Sequence, residues 1–299
     1  MNAGAGTEAG SRLAGFLDNP IVGMLPWIVF SVLVGPGRFE FSVGIALAIA
    51  VMLVVLDRLR RPGTSLKILE VADVAFFAAL AIVGAVASDG TLRWLETYSG
   101  ELSNFALVAI AFGSMAVRVP FTVQYARERV PRELWNTRGF MHTNYVITAV
   151  WGLAFLVAAV AGLYGDLVLR DSDNIWTNWL IQIGAIIVAL RFTEWYPGVV
   201  RERIAGGTAT RGSPTSVSAL MIPLAGYLVP VGILMLSLGS GPIWLGIAVI
   251  VAGVLLVRAL KPDGDADADA AQGDAGDGAA PEGGAAADAR RQGRRRDPE

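Results

Sequence analysis

The sequence contains no cysteine, and this excludes disulfides, thiolate metal ligands and cysteine nucleophiles. Charged residues are also scarce: they form 17% of the chain, against roughly a quarter in an ordinary soluble domain. Hydrophobic residues form 54% of it. The single histidine, His142, has no cysteine or suitably spaced glutamate beside it to complete a metal site. A lipid environment accounts for this composition.

Motifs of known enzyme chemistry are absent as well. The sequence shows no phosphate-binding glycine loop, no nucleophile elbow and no paired-carboxylate motif. We therefore expect a protein that is not an enzyme and that uses no cofactor, no metal and no nucleic-acid partner.

The charges that are present are unevenly distributed. Ten of the 26 acidic and five of the 24 basic residues lie between Asp263 and Glu299. That stretch consists largely of Asp, Gly and Ala and cannot form a core, so we expect a disordered charged tail at 263–299. The first 19 residues carry one arginine and lack the charged region of a cleavable signal peptide, so we expect a cytoplasmic N-terminal segment at 1–19. The transmembrane helical domain is then expected at 20–262.

Eight apolar segments are candidates to cross about 30 Å of hydrocarbon as helices. They lie at roughly 20–35, 39–56, 68–87, 102–119, 144–165, 176–197, 217–237 and 242–260. The first is short and contains Pro20 and Pro26, so tilted, kinked and re-entrant arrangements all remain open for it. The pattern predicts an all-α polytopic bundle of about eight transmembrane helices.

The loops between these segments predict the orientation, because lysine and arginine are retained on the cytoplasmic side of a membrane. Outside the tail, fifteen basic residues fall in segments assigned to one side, and three fall in segments assigned to the other: Arg38, Arg93 and Arg170. The alternation predicts eight spans with both termini in the cytoplasm.

Tryptophan side chains favour the interface between membrane and water. Six tryptophans lie near the ends of the candidate spans: Trp27, Trp94, Trp176, Trp179, Trp195 and Trp244. We expect these rings to lie at the two membrane surfaces.

Ionisable residues inside the spans are costly and suggest function or pairing. Arg191 and Glu194 share one face of the sixth candidate span, and Glu70 and Asp73 open the third from the same side. We expect Arg191 to pair with Glu194, Glu70 or Asp73. Structural ion pairing and a transport pathway both remain open for these four residues. Gln182 and Thr148 are the polar residues that lie deeper.

The segment from Arg118 to Asn144 is the longest loop of the membrane domain and mixes arginines with aromatic residues. Pro120 can start a helix and Pro131 must end one. On that helix Phe121, Gln124 and Tyr125 share a face, whereas Arg127 and Arg129 point elsewhere. Such a helix can lie flat on a membrane, with the aromatic rings at the acyl boundary and the arginines near phosphates. The candidate interaction residues are Phe121, Gln124, Tyr125, Arg127, Arg129, Trp135 and Asn144.

This segment resembles the intracellular septation protein A family of bacterial inner-membrane proteins. The likeness covers about residues 100–165 and rests on the run from Arg118 to Glu128, on Trp135-Asn136 and on Asn144 before an apolar span. The resemblance implies a multi-pass protein of the bacterial inner (plasma) membrane that takes part in cell-envelope or septation-related organisation.

The sequence leaves two main functions open. The first is a non-enzymatic membrane protein that acts through the lipid bilayer, anionic head groups or membrane-protein partners. The alternative is a transporter or channel for a small or amphipathic solute, which requires polar groups to converge inside the bundle.

Overall fold

A computed structural model of the chain describes residues 20–62, 66–171, 174–207, 213–238 and 242–261. The expected N-terminal segment at 1–19 and the expected tail at 263–299 lie outside these ranges, as do Arg12 and Arg211 among the basic residues that were counted. The helices belong to one compact unit that ends at Leu260.

Every regular element in the described ranges is helical. The α-helices are α1 (Pro20–Gly23), α2 (Leu25–Leu33), α3 (Phe39–Arg60), α4 (Ile68–Val86), α5 (Asp89–Ala116), α6 (Phe121–Arg127), α7 (Arg138–Leu163), α8 (Ile181–Ile204), α9 (Val217–Gly226), α10 (Leu228–Leu238) and α11 (Ile243–Leu260). A 3₁₀ turn (Arg132–Leu134) precedes α7. Two π-helices, Tyr164–Leu169 and Trp176–Leu180, follow α7 and precede α8.

Within the described ranges, six helical stretches are long and apolar enough to cross a membrane. They are Phe39–Arg60, Ile68–Val86, Arg138–Leu169, Trp176–Ile204, Val217–Ser237 and Ile243–Leu260. A seventh is counted if α5 and α6, which are bent by 75° relative to each other, form one broken span. Many large apolar side chains on these helices face outward, as lipid-facing residues do; Leu59 is 75% exposed and Val86 is 81% exposed. The expectation of an all-helical, multi-pass membrane protein is thus confirmed at this level.

The first of the eight expected spans differs from a regular membrane helix. It is divided into α1, of four residues, and α2, of nine residues, and neither reaches spanning length. Gly23 lies beside Leu69, and the ring of Phe30 lies 5.4 Å from that of Phe77. The earlier residue of the first segment, Gly23, thus contacts the earlier residue of α4, and the later residue contacts the later one. The first segment, including α2, therefore runs parallel to α4.

The bend between α5 and α6 has a local cause. Arg118 adopts the left-handed backbone conformation, with φ at 62°, and so ends the helical path of α5. Pro120 then precedes α6 with φ at −49°, the range that a proline ring imposes and that suits a helix start. The bend turns α6 back onto the bundle, where it packs against α7.

Candidate functional site

The short helix α6 is buried on the face that was expected to meet lipid. Phe121 is 6% exposed, Val123 1% and Tyr125 4%. Phe121 and Tyr125 join the apolar core together with Leu69, instead of lying at the acyl boundary. The expected flat surface helix is therefore wrong in this respect, because the bend after α5 turns the apolar face of α6 inward, where burial against other helices is favourable.

Gln124 and Asn144 also form hydrogen bonds within the protein. The side-chain oxygen of Gln124 accepts a hydrogen bond from the amide of Ile68 at 2.6 Å, and its Nε2 donates to the carbonyl of Leu66 at 3.2 Å. Asn144, which is 2% exposed, donates through Nδ2 to the carbonyl of Phe140 at 2.9 Å. The carbonyl of Asn144 accepts from the hydroxyl of Thr122 at 3.1 Å. These bonds fix α6 to the start of α4 and to α7.

The exposed part of the segment comes after α6. Arg129, Arg132 and Arg138 are exposed, and Trp135 among them is half-buried. The guanidinium carbons of Arg127 and Arg132 lie 5.1 and 5.6 Å from the centroid of the Trp135 ring, within the range of cation–π attraction. The indole of Trp135 donates to the carbonyl of Val130 at 2.9 Å. We call Arg129, Arg132, Trp135 and Arg138 the arginine loop.

A buried charge cluster lies where α3, α4 and α6 meet. The ammonium of Lys67 lies 3.0 Å from Oε1 of Glu128, 3.5 Å from Oε1 of Glu70 and 3.7 Å from Oδ1 of Asp57. Arg61 forms a further hydrogen-bonded ion pair with Glu128. Lys67 is only 5% exposed. We call these five residues the Lys67 cluster; it joins three helices on the side that the sequence assigns to the cytoplasm.

Glu70 and Asp73 thus have partners other than Arg191. Glu70 pairs with Lys67 three residues earlier. Asp73, which is 1% exposed, accepts a hydrogen bond from the indole of Trp27 at 2.6 Å. Trp27 is 3% exposed, so its ring faces neighbouring helices and not lipid head groups or water, contrary to expectation. Its ring packs on Phe76, with 4.7 Å between centroids, because α2 lies directly along α4.

A small cavity adjoins the Lys67 cluster. Its polar lining comes from Asp57, Lys67, Glu70 and Tyr125, and its apolar lining from Val22, Gly23 and Leu53. Oε2 of Glu70 and the hydroxyl of Tyr125 are buried there without a hydrogen-bond partner.

Arg191 and Glu194 lie together on α8. Nη1 of Arg191 donates to Oε2 of Glu194 at 3.0 Å, and Nη2 donates to the hydroxyl of Tyr227 at 3.0 Å. The side chain of Glu194 is 68% exposed. The contact with Tyr227 links α8 to the junction of α9 and α10, and the sequence did not indicate it.

A second polar cluster, also not anticipated, lies among α5, α8 and the two π-helices. It consists of Glu101, Asn104, Asp166, Thr177, Asn178 and Gln182, and we call it the Glu101 cluster. The carboxyl group of Glu101 lies beside that of Asp166. Nδ2 of Asn104 donates to Oε1 of Gln182 at 3.2 Å. Gln182 was noted as a deep polar residue, but its neighbours on other helices could not be identified from sequence spacing.

His142 is exposed, and no group of three or more His, Cys, Asp or Glu side chains that could hold a metal occurs within the described ranges. Thr148, the other deep polar residue, exchanges a hydrogen bond of 2.8 Å with Thr122. It therefore serves the contact between α6 and α7.

Comparison with known proteins identifies no relative: no protein-family model, no curated protein and no solved structure matches this chain.

Proposed function

We propose that the protein is a non-enzymatic multi-pass membrane protein that binds anionic lipid head groups through the arginine loop on its cytoplasmic face. The observation that carries this proposal is the exposure of three arginines around a half-buried tryptophan, on a loop that Phe121, Gln124 and Tyr125 hold firmly against the bundle. Guanidinium groups suit phosphate, and a tryptophan ring suits the interface.

The proposal extends to topology and location. Eight crossings with both termini in the cytoplasm fit the distribution of arginine, if α1 and α2, which pack beside α4, together make the first crossing. The resemblance to the septation protein A family supports a bacterial inner membrane and a role in envelope organisation.

Lipid binding is tested with the purified full chain by native mass spectrometry, using phosphatidylglycerol as the probe. Each arginine near an anionic surface contributes about 1 kcal/mol, so replacing all three by glutamine should weaken binding by about 100-fold. The matched control replaces three exposed arginines assigned to the opposite face, Arg38, Arg93 and Arg170, and should bind as the wild type does. Equal losses in the two triple variants would refute a specific role for the arginine loop.

The topology is tested separately by single cysteines, which are unambiguous in a cysteine-free chain. Cysteine at the exposed position Gly90 should react with an impermeant reagent from outside, and cysteine at the exposed position Asn136 only after permeabilisation. The reverse pattern would mean that the orientation is wrong.

A further inference from the structure

Helix α8 carries an exposed ion pair inside its membrane span. Arg191 and Glu194 lie in the span Trp176–Ile204, and the next charged residue along it is the exposed Arg201. At 1.5 Å per residue, Glu194 lies about 10 Å and Arg191 about 15 Å before Arg201 along the helix axis. The side chains of Arg191 and Glu194 are nevertheless 37% and 68% exposed. Both charges therefore lie on the outer surface of an apolar span.

Contacts within the chain satisfy this ion pair only in part. Arg191 donates through Nη1 to Glu194 and through Nη2 to Tyr227, although a guanidinium group has five N–H donors. In the part of the chain that the structure describes, the side chain of Glu194 accepts only the bond from Arg191. An ionised carboxylate offers about four acceptor sites. Both groups can thus form further polar contacts with atoms outside the chain.

The helix surface around the ion pair is open as well. In the apolar window of the span that contains α8, 11% of the residues are buried, against 56% in the span Arg138–Leu169. Ile183 lies eleven residues before Glu194, which places it on the same helix face, and it is 49% exposed. Gly184 lies seven residues before Arg191, and a Cβ atom there would meet no atom within 4 Å. We call Ile183, Gly184, Arg191 and Glu194 the α8 face.

Lipid tails are a poor partner for the α8 face. Ionisable residues inside a span almost always face protein or a water-filled cavity, because hydrocarbon cannot solvate their charge. The exposure of Glu194 therefore indicates that another protein surface covers it. The apolar side chain of Ile183 and the open space at Gly184 suit contact with a further helix, since a glycine lets two helices approach closely.

The charges of the α8 face identify a second copy of the chain as the matching partner. One positive and one negative charge lie about one turn apart, so the face is complementary to itself. In a dimer with a two-fold axis each copy contributes the same patch, and a contact from residue i to residue j is repeated from j to i. Arg191 of each copy can then pair with Glu194 of the other.

We propose that the protein forms a homodimer through the α8 face, with two reciprocal ion pairs between Arg191 and Glu194. The contact with Tyr227 holds Arg191 in position for this pairing. Dimer formation covers both charges and the open surface beside them. The interface is independent of the arginine loop and of the lipid binding proposed above.

The test counts the copies of the purified full chain in phosphatidylcholine liposomes. A fluorophore on a single cysteine at the exposed position Gly90 bleaches in one step per chain, and the counts at several protein densities give the dissociation constant. We expect two-step bleaching of the wild type. Gly184→Leu should raise the dissociation constant at least tenfold, whereas the matched control Gly44→Leu, at a glycine of α3 that also has open space around its Cβ position, should dimerise as the wild type does.

Charge reversal provides a second test that separates pairing between copies from a structural role within one chain. Arg191→Glu gives the α8 face two negative charges and Glu194→Arg gives it two positive charges. Each variant alone should be monomeric, and a mixture of the two, labelled in different colours, should form heterodimers. A pair that acts only within its own chain gives no such rescue.

Several results would overturn the proposal. One is a wild-type chain that stays monomeric at every density, which decides the matter even if the variants fail to fold. Another is equal dimerisation of Gly184→Leu and Gly44→Leu. A mixture of folded charge-reversal variants that remains monomeric, or a monomer that retains phosphatidylethanolamine in native mass spectrometry and loses it in Glu194→Gln, would assign the α8 face to lipid instead.

Discussion

Replacing Lys67 by methionine tests whether the Lys67 cluster holds the bundle together. The change keeps most of the side-chain volume but removes the positive charge that lies within 3.0 to 3.7 Å of three carboxylates. At such distances each ion pair contributes about 4 kcal/mol of attraction at an effective dielectric constant of about 20, most of it offset by the cost of desolvation.

The net loss should be large because the partners stay buried. Glu70 is 6% exposed and Asp57 8% exposed, so neither can turn fully to water. Removing one partner of a buried ion pair typically costs about 3–5 kcal/mol, and we expect Lys67→Met to lower the free energy of unfolding by that amount. Adding Glu70→Gln to Lys67→Met should recover part of the loss, since one uncompensated charge disappears.

Reversible unfolding of the detergent-solubilised protein in a denaturing detergent, followed by tryptophan fluorescence, measures these changes. The matched control is Arg93→Met, which removes an exposed positive charge and should change stability by no more than about 0.5 kcal/mol. If Lys67→Met and Arg93→Met changed the free energy of unfolding equally, the ion pairs of Lys67 would make no net contribution to stability. If the double variant were less stable than Lys67→Met alone, uncompensated charge would not be the cause.

Further predictions concern other parts of the chain. Phe121→Ser and Tyr125→Ser should each destabilise the protein by about 3–5 kcal/mol because both rings are buried; wild-type stability with altered lipid binding would instead place these rings at the surface. Tyr227→Phe removes the acceptor that lies 3.0 Å from Nη2 of Arg191 and should cost about 1 kcal/mol in the same unfolding assay, and no change would show that Arg191 finds another partner. Truncation after Pro262 should leave membrane insertion and Tm unchanged because alanine and proline are the largest apolar side chains in the removed sequence, too small to form a core, and a fall of several degrees in Tm would contradict this.

Membrane insertion and helical structure could be read from the sequence alone, since both depend on local composition. A run of apolar residues such as 39–56 must form a helix wherever water is absent, because its backbone groups have no other partners. The positions at which helices end could also be read from local sequence. Gly35-Pro36-Gly37 and Pro120 interrupt helices through their own backbone preferences.

The placement of α6 could not be read in this way. Its apolar face was identified correctly, but an apolar face is equally suited to lipid and to neighbouring helices. The bend at Arg118 decides between them, and it places Phe121 and Tyr125 in the core. The same limit applies to Trp27, whose position near a helix end suggested an interface and whose indole instead donates to Asp73 inside the bundle.

The partners of the charged residues were likewise decided by tertiary structure. Spacing along one helix correctly suggested that Arg191 and Glu194 are neighbours, because side chains three residues apart share a helix face. Lys67 meets Glu128, and Glu101 meets Asp166, only because helices distant in sequence pack with those faces together. Hydropathy and periodicity specify which face of a helix is polar. Which residues of other helices that polar face contacts depends on packing across the whole bundle.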